Sequence, residues 1–216
     1  TWYLNDTSGN GIQTSSNTAS GSVSVAMGVG TTASGQYSTS MGVETTASGG
    51  RSTAMGHQTE ASGDFSTAMG RETTASEYGS TAIGDNTIAS GNYSTAMGYS
   101  TRASGSVSVA MGNTTIASGN FSTAMGQLTT AIGDYSTAIG DNTTASDYNS
   151  LVLGQWNLAG STTTNSPTEF STDNTAFVIG NGLSWDNRGD ALVVKFNGDA
   201  TLAGNLNINS DARLKA

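Results

Sequence analysis

Along residues 19–158, small apolar, hydroxyl and glycine positions recur with a strict 14-residue period. Ten copies follow one another without insertion, beginning at Ala19, Ala33, Ala47, Ala61, Ala75, Ala89, Ala103, Ala117, Ala131 and Ala145. The unit reads A-S-G-x-(aromatic)-S-T-A-M-G-x-x-T-x. Position one is Ala, position six Ser and position ten Gly in all ten copies. A short, strict period marks a solenoid, each repeat forming one coil stacked on the next. Helix is disfavoured by two glycines per unit and by rows of Ser and Thr. The spacing predicts one strand at positions five to nine, a turn at the glycine of position ten, and a second strand from twelve to two. A second turn follows at positions three and four. Glycine suits such corners because it accepts positive φ.

Charge separates the two strands. The charged residues of the array are Glu44, Arg51, Glu60, Asp64, Arg71, Glu72, Glu77, Asp85, Arg102, Asp134, Asp141 and Asp147. None occupies positions six to ten, thirteen, one or two. Side chains alternate between the faces of a strand. The second strand therefore reads as half-exposed, with Thr thirteen and Ala one turned inward. The first strand is uncharged on both faces: Ser and Ala at six and eight, Thr or Val and Met or Ile at seven and nine. Strands that lose polar alternation are buried on both sides. One face meets its own coil, and identical subunits are the expected cover for the other. All seven methionines sit at position nine and read as packing residues. A thin Ser/Thr/Ala coil buries little apolar area, which again points to assembly.

Composition narrows the function classes. The 216 residues include no Cys and only Pro167 as proline, so no disulfide framework or thiolate metal site is expected. A net charge of −9 with seven Lys and Arg argues against nucleic-acid binding. No apolar run reaches the roughly 18 residues of a membrane helix, so direct insertion into a membrane is not expected. Starting at Thr1 without initiator Met or signal peptide, the sequence reads as an excised fragment. Residues 1–18 read as a lead-in that caps the first coil, with Trp2 and Tyr3 covering the open edge. Residues 159–209 read as a connector, a degenerate coil at 175–180 and a hairpin turning at Asn197-Gly198. Trp156 and Trp185 are expected to seal the lower end.

SVAMG at Ser24 to Gly28 and Ser108 to Gly112, with STAMG or STAIG elsewhere, resembles the S-V-A-I-G repeat of YadA-like heads of trimeric autotransporter adhesins. The 14-residue period and the trailing Thr-x-Ala-x-Gly are similar too. The resemblance implies an all-β, left-handed parallel β-roll, three copies of which form a homotrimeric head on the cell surface. Handedness and the number three follow from the resemblance alone. The neck and coiled-coil stalk of that family are not visible in this sequence. Ser210 to Lys215 (SDARLK) resembles the S-D-x-R-L-K opening of the intramolecular chaperone domains that end many phage tail fibres. That likeness implies self-cleavage before Ser210, with Ser210 as nucleophile and Lys215 as its base partner. Residues 210–216 would then begin such a chaperone.

Within the array no constellation points to catalysis, a cofactor or a metal. His57, the only histidine, falls at the variable position eleven. Asp occurs only at positions three, four and eleven, without the fixed column of a calcium-binding roll. Asp64 with Asp134, or Asp85 with Asp141, stand too far apart for a glycosidase pair. The outward Thr column at position fourteen, from Thr32 to Thr144, is interrupted by Glu60, Ile88, Arg102 and Ile116, which argues against ice binding. One column stands out as a ligand-binding candidate. Tyr37, Phe65, Tyr93 and Phe121 occupy position five in alternate coils, followed by Tyr135. Rings about 10 Å apart, two strand spacings, would stack on repeating sugars or fill a seam between subunits. The sequence thus reads as a non-enzymatic adhesin head that binds itself and a surface receptor, glycan or matrix ligand. The rivals are a virion tail fibre with polysaccharide-cleaving activity and a purely structural spacer.

Overall fold

A computed structural model describes residues 3–4, 12–13, 16–158 and 166–204. It is a parallel β-solenoid without helix among those residues. Each 14-residue unit makes one coil, and residue i pairs with residue i+14 throughout the array: Thr95 with Val109, Met97 with Met111, Gly98 with Gly112. The longer strands stack into a sheet of 15 strands and the shorter ones into a sheet of ten.

Strand boundaries differ from those expected. The long strand covers positions seven to eleven, as in Thr95–Tyr99, and the short one only fourteen and one, as in Arg102–Ala103. Position ten therefore lies inside a strand and does not turn the chain. Its φ of 123–134° in the nine coils from Gly28 to Gly140 is open to glycine alone. A Cβ at Gly98 would also run into the carbonyl oxygen of Gly112 in the coil below. At position three φ is ordinary, yet a Cβ on Gly105 would meet the carbonyl of Gly119 in the same way. These glycines let backbone approach backbone.

The two corners are built by other residues. Positions five and twelve hold left-handed φ near 46–65° in every coil, mostly without glycine: Tyr37, Phe65 and Val107 at one corner, Glu44, Leu128 and Trp156 at the other. That conformation is unfavourable for bulky and β-branched side chains. Hydrogen bonds between coils hold it. Each position-five N–H donates to the position-four carbonyl of the coil above (Tyr93 to Tyr78, 2.8 Å), and each position-twelve N–H to the position-eleven carbonyl (Thr114 to Tyr99, 2.8 Å). The invariant serine adds to the turn, with Ser108 and Ser122 Oγ donating to the carbonyls of Gly105 and Gly119 at 2.7 and 2.6 Å.

The interior is two columns of alanine, positions one and eight, wholly buried, flanked by the serines and threonines of six and thirteen. Position eight is Ser only at Ser40, whose Oγ donates to the Thr45 carbonyl at 2.9 Å and lies 2.7 Å from the Thr45 hydroxyl. The outward side chains of the long strands, positions seven and nine, are half-exposed along all ten coils, apart from the more exposed Ile139.

Both ends of the threonine column finish in asparagine. Asn17 accepts from the Thr31 N–H at 3.0 Å and donates to the Gly28 carbonyl at 2.9 Å. Asn157 accepts from the Thr144 N–H at 2.8 Å and donates to its carbonyl at 3.0 Å. Beyond coil ten, Thr175–Asn181 adds an eleventh parallel rung in register with Leu151–Gln155. Asp147, buried where eight of the ten coils have glycine, accepts the Thr175 N–H at 2.9 Å. Asp190–Lys195 and Ala200–Leu202 then pair antiparallel around Asn197-Gly198. At the other end, Tyr3–Leu4 pairs antiparallel with Ile12–Gln13, which lies parallel to the first long strand. Trp2 lies outside the described residues.

The lower end is not sealed by two tryptophans. Trp156 is half-buried beneath the Arg188 guanidinium, 5.2 Å from its ring centroid, and that guanidinium donates to the Asn142 and Asn157 carbonyls. Trp185 sits on a tight turn, 75% exposed.

The glycine argument is testable by two substitutions at positive φ. Gly98→Ala places a methyl against backbone and is expected to cost at least ~3 kcal/mol or prevent folding. Gly30→Ala, whose Cβ meets nothing closer than Glu44 Cγ at 3.8 Å, is expected to cost about 1–2 kcal/mol. Equal losses in circular-dichroism melts would show that backbone stacking is not the reason for glycine at position ten.

Candidate binding edge

The corner at positions four and five carries a line of exposed rings. Tyr37, Phe65, Tyr93, Phe121 and Tyr135 all lie on it, 46–59% exposed. They are not separate platforms two coils apart. Between Tyr37 and Phe65 stands Arg51, its guanidinium carbon 5.3 and 5.1 Å from the two ring centroids. Between Phe65 and Tyr93 stands Tyr78, at 5.3 and 5.2 Å. Phe121 and Tyr135 stack in parallel at 4.9 Å, and Tyr148 continues the line at 5.3 Å. Only Val107 separates the two runs of stacked groups.

Tyr78 and Tyr148 escaped the sequence reading because they occupy position four, one residue before the column. The signal was present next door. Their coils hold Gly79 and Asn149 at position five, so the ring is displaced by one residue and not lost. At Gly79 a Cβ would come within 2.8 Å of Tyr93 Cδ1, so glycine there makes room for the stack.

At Asp64, Asn120 and Asp134, all at position four, the side chain serves the backbone. Asp64 Oδ1 accepts the Gly50 N–H at 2.7 Å, Asn120 Oδ1 that of Ser106 at 3.0 Å, and Asp134 Oδ1 that of Asn120 at 2.7 Å. The run ends where the Asp134 N–H donates to the Pro167 carbonyl at 2.7 Å. Residues 166–174 are thereby held against the lower end of the aromatic edge, with Tyr148 N–H donating to the Ser166 carbonyl at 3.0 Å.

The opposite edge, positions eleven and twelve, mixes apolar and charged groups. His57 is exposed there, at the end of Thr53–His57. Arg71 pairs with Asp85 at 2.6 Å and Glu72 at 3.3 Å, and the hydrogen bond and charge of Asp85 raise its pKa further above its ordinary value. Exposed pairs of this kind contribute little to stability. Among the described residues no three His, Asp or Glu side chains gather as metal ligands. No helix of the described residues is long and apolar enough to cross a membrane. Ser210 and Lys215 lie outside the described residues.

The coil array as a whole matches a known repeat. The YadA head domain repeat (2 copies) fits residues 19–45, 47–73, 75–101, 103–129 and 131–155, well over half the chain. The chain belongs to the YadA head family. No curated protein matches it. The family repeat accounts for the coil and its glycine and alanine columns.

If the edge is a stack and not a set of isolated rings, its members are coupled. Tyr135→Ala is expected to lower stability by about 1–3 kcal/mol through loss of two ring contacts. A double-mutant cycle with Phe121→Ala should return a coupling of about 0.5–1.5 kcal/mol. Additive losses would contradict a stacked edge.

Proposed function

We propose that this chain is the exposed head of a trimeric surface adhesin, a rigid rod without enzymatic activity that holds its target by many weak contacts. The observation carrying this reading is the uncharged face of ten long strands, Thr or Val at position seven and Met or Ile at nine in the first nine and Leu151 and Leu153 in the tenth, left half-exposed on a single chain. A contiguous apolar sheet face of that length is covered in a soluble assembly. Burying it between copies leaves the short-strand sheet facing outward, with Thr32, Thr46, Thr74, Thr130 and Thr144 interspersed with Glu60 and Arg102. Identical coils presented three-fold around a rod favour avidity over a single deep pocket. The partners of this reading are two further copies of the chain and a receptor, glycan or matrix component outside the cell.

A second reading draws on Ser210 to Lys215: a tail-fibre shaft released by self-cleavage before Ser210 from a chaperone domain that guides trimer assembly. It differs from the first in the expected turnover of a capsular polysaccharide.

Light scattering should give a mass near three times the 21.7 kDa chain. Matrix and glycan arrays should bind the assembly and lose binding when it is dissociated. A stable monomer contradicts the adhesin reading, and released oligosaccharide from a capsule panel would replace it with the tail-fibre one.

A further inference from the structure

The outward face of the short-strand sheet is not uniform along the rod. Its column at position two is Ser in eight successive coils, from Ser20 to Ser118. Its column at position fourteen is Thr at Thr32, Thr46 and Thr74, and again at Thr130 and Thr144. Midway along the rod both columns change. Ile88, Arg102 and Ile116 lie as direct neighbours on three successive strands, with Thr74 above them and Thr130 below. One rung further on, Leu128 and Ile132 stand on either side of Thr130. Ile116, Leu128 and Ile132 are 38–43% exposed, and Arg102 is exposed with them.

The coil itself does not call for this change. Thr and Ile are both β-branched and suit the same strand position. What Ile adds at an exposed position is apolar surface left in water. Nor does Arg102 serve an ion pair. Arg71 pairs with Asp85 and Glu72, and Arg51 lies between two rings. Among the described residues no carboxylate pairs with the Arg102 guanidinium. On a chain of net charge −9, it is an unpaired cation set between two isoleucines.

We infer that this patch docks a polypeptide segment of the adhesin's target that carries an acidic side chain between aliphatic ones. The inference deepens the adhesin reading above and rests on it, because that reading turns this face outward. Arg102 offers a planar fork that matches a carboxylate. Ile88 and Ile116, about 10 Å apart at two strand spacings, flank the fork and meet aliphatic side chains on either side of the acid. Other ligand classes fit less well. Positions twelve, fourteen and two hold no aromatic ring from Asn86 to Ile132, so a sugar has no ring to stack on. An acyl chain on an open sheet face keeps much of its surface in water. An anionic membrane or a nucleic acid meets one arginine on a chain that repels it.

The test is selection of a random-peptide display library on the whole chain, with light scattering of the same sample. Enriched peptides are expected to carry Asp or Glu beside Ile, Leu or Val, and to bind less tightly as salt rises. Ile88→Thr/Arg102→Thr/Ile116→Thr gives each position the residue its column holds elsewhere, and should keep the fold and the mass. Its affinity for the enriched peptides should fall by about tenfold or more. Arg102→Glu, a single exposed change, should lose the same peptides and carries the test if the triple variant fails to fold. Unchanged affinity in either folded variant overturns the site, as does a library that yields no acidic-aliphatic peptide. Binding to phosphatidylglycerol vesicles in place of peptides would make the ligand a lipid surface, which also overturns it. Any of these results with a trimer mass leaves the head reading standing. A monomer mass removes that reading, and with it the claim that this face is the outward one.

Discussion

Everything in this rod depends on how closely one coil lies on the next. Successive coils touch through backbone at position ten in every coil, and at position three wherever it is glycine, so that no side chain stands between them there. Register at every other position follows. Met97 lies on Met111 and Ala96 on Ala110 because Gly98 lies on Gly112. The same contact fixes the corners. A left-handed tyrosine or valine is unfavourable alone, but each corner N–H is held by the carbonyl of the coil above at 2.7–2.9 Å. Local strain is offset by a ladder that runs the length of the array.

Close stacking leaves almost no interior. A coil whose core is two alanines, a serine and a threonine has little apolar area to remove from water. Most of those threonines, Thr59 and Thr73 among them, have hydroxyls without a hydrogen-bond partner among the described residues. Only Thr45 is supplied, by Ser40. Backbone hydrogen bonding between coils must therefore provide what the core does not. At the lower end the interior widens to Val152 and Val178, and asparagine, aspartate and arginine take over the closing of the backbone.

The period, the two-sheet coil, the buried alanine columns and the uncharged outer face were legible in the sequence because each repeats ten times. The exact strand limits were not. A glycine at position ten reads as a corner when glycine is taken as the residue of positive φ, whereas the structure uses it within a strand and places tyrosine or glutamate at the bends. The reason lies in hydrogen bonds between residues 14 apart, which no local propensity contains. The aromatic edge was half legible. Position five announced Tyr37, Phe65, Tyr93, Phe121 and Tyr135, but Tyr78 and Tyr148 belong to the stack only because Gly79 and Asn149 yield their place. The asparagines that end the threonine column stand at position thirteen, where the other coils have Thr: Asn157 in the tenth coil itself, and Asn17 once the register is extended one coil above the first. Trp185 shows the opposite failure: a large apolar residue read as a seal stands in solvent.

Amide hydrogen exchange along the array tests the central claim most directly. Because corners are bonded from coil to coil, the N–H groups of positions five and twelve, Tyr93 and Thr114 among them, should be as strongly protected as those of the long strands from coil two to coil ten. Rapid exchange at those corners beside slow exchange in the strands would mean that the bends are ordinary loops, and that backbone stacking does not organise the coil.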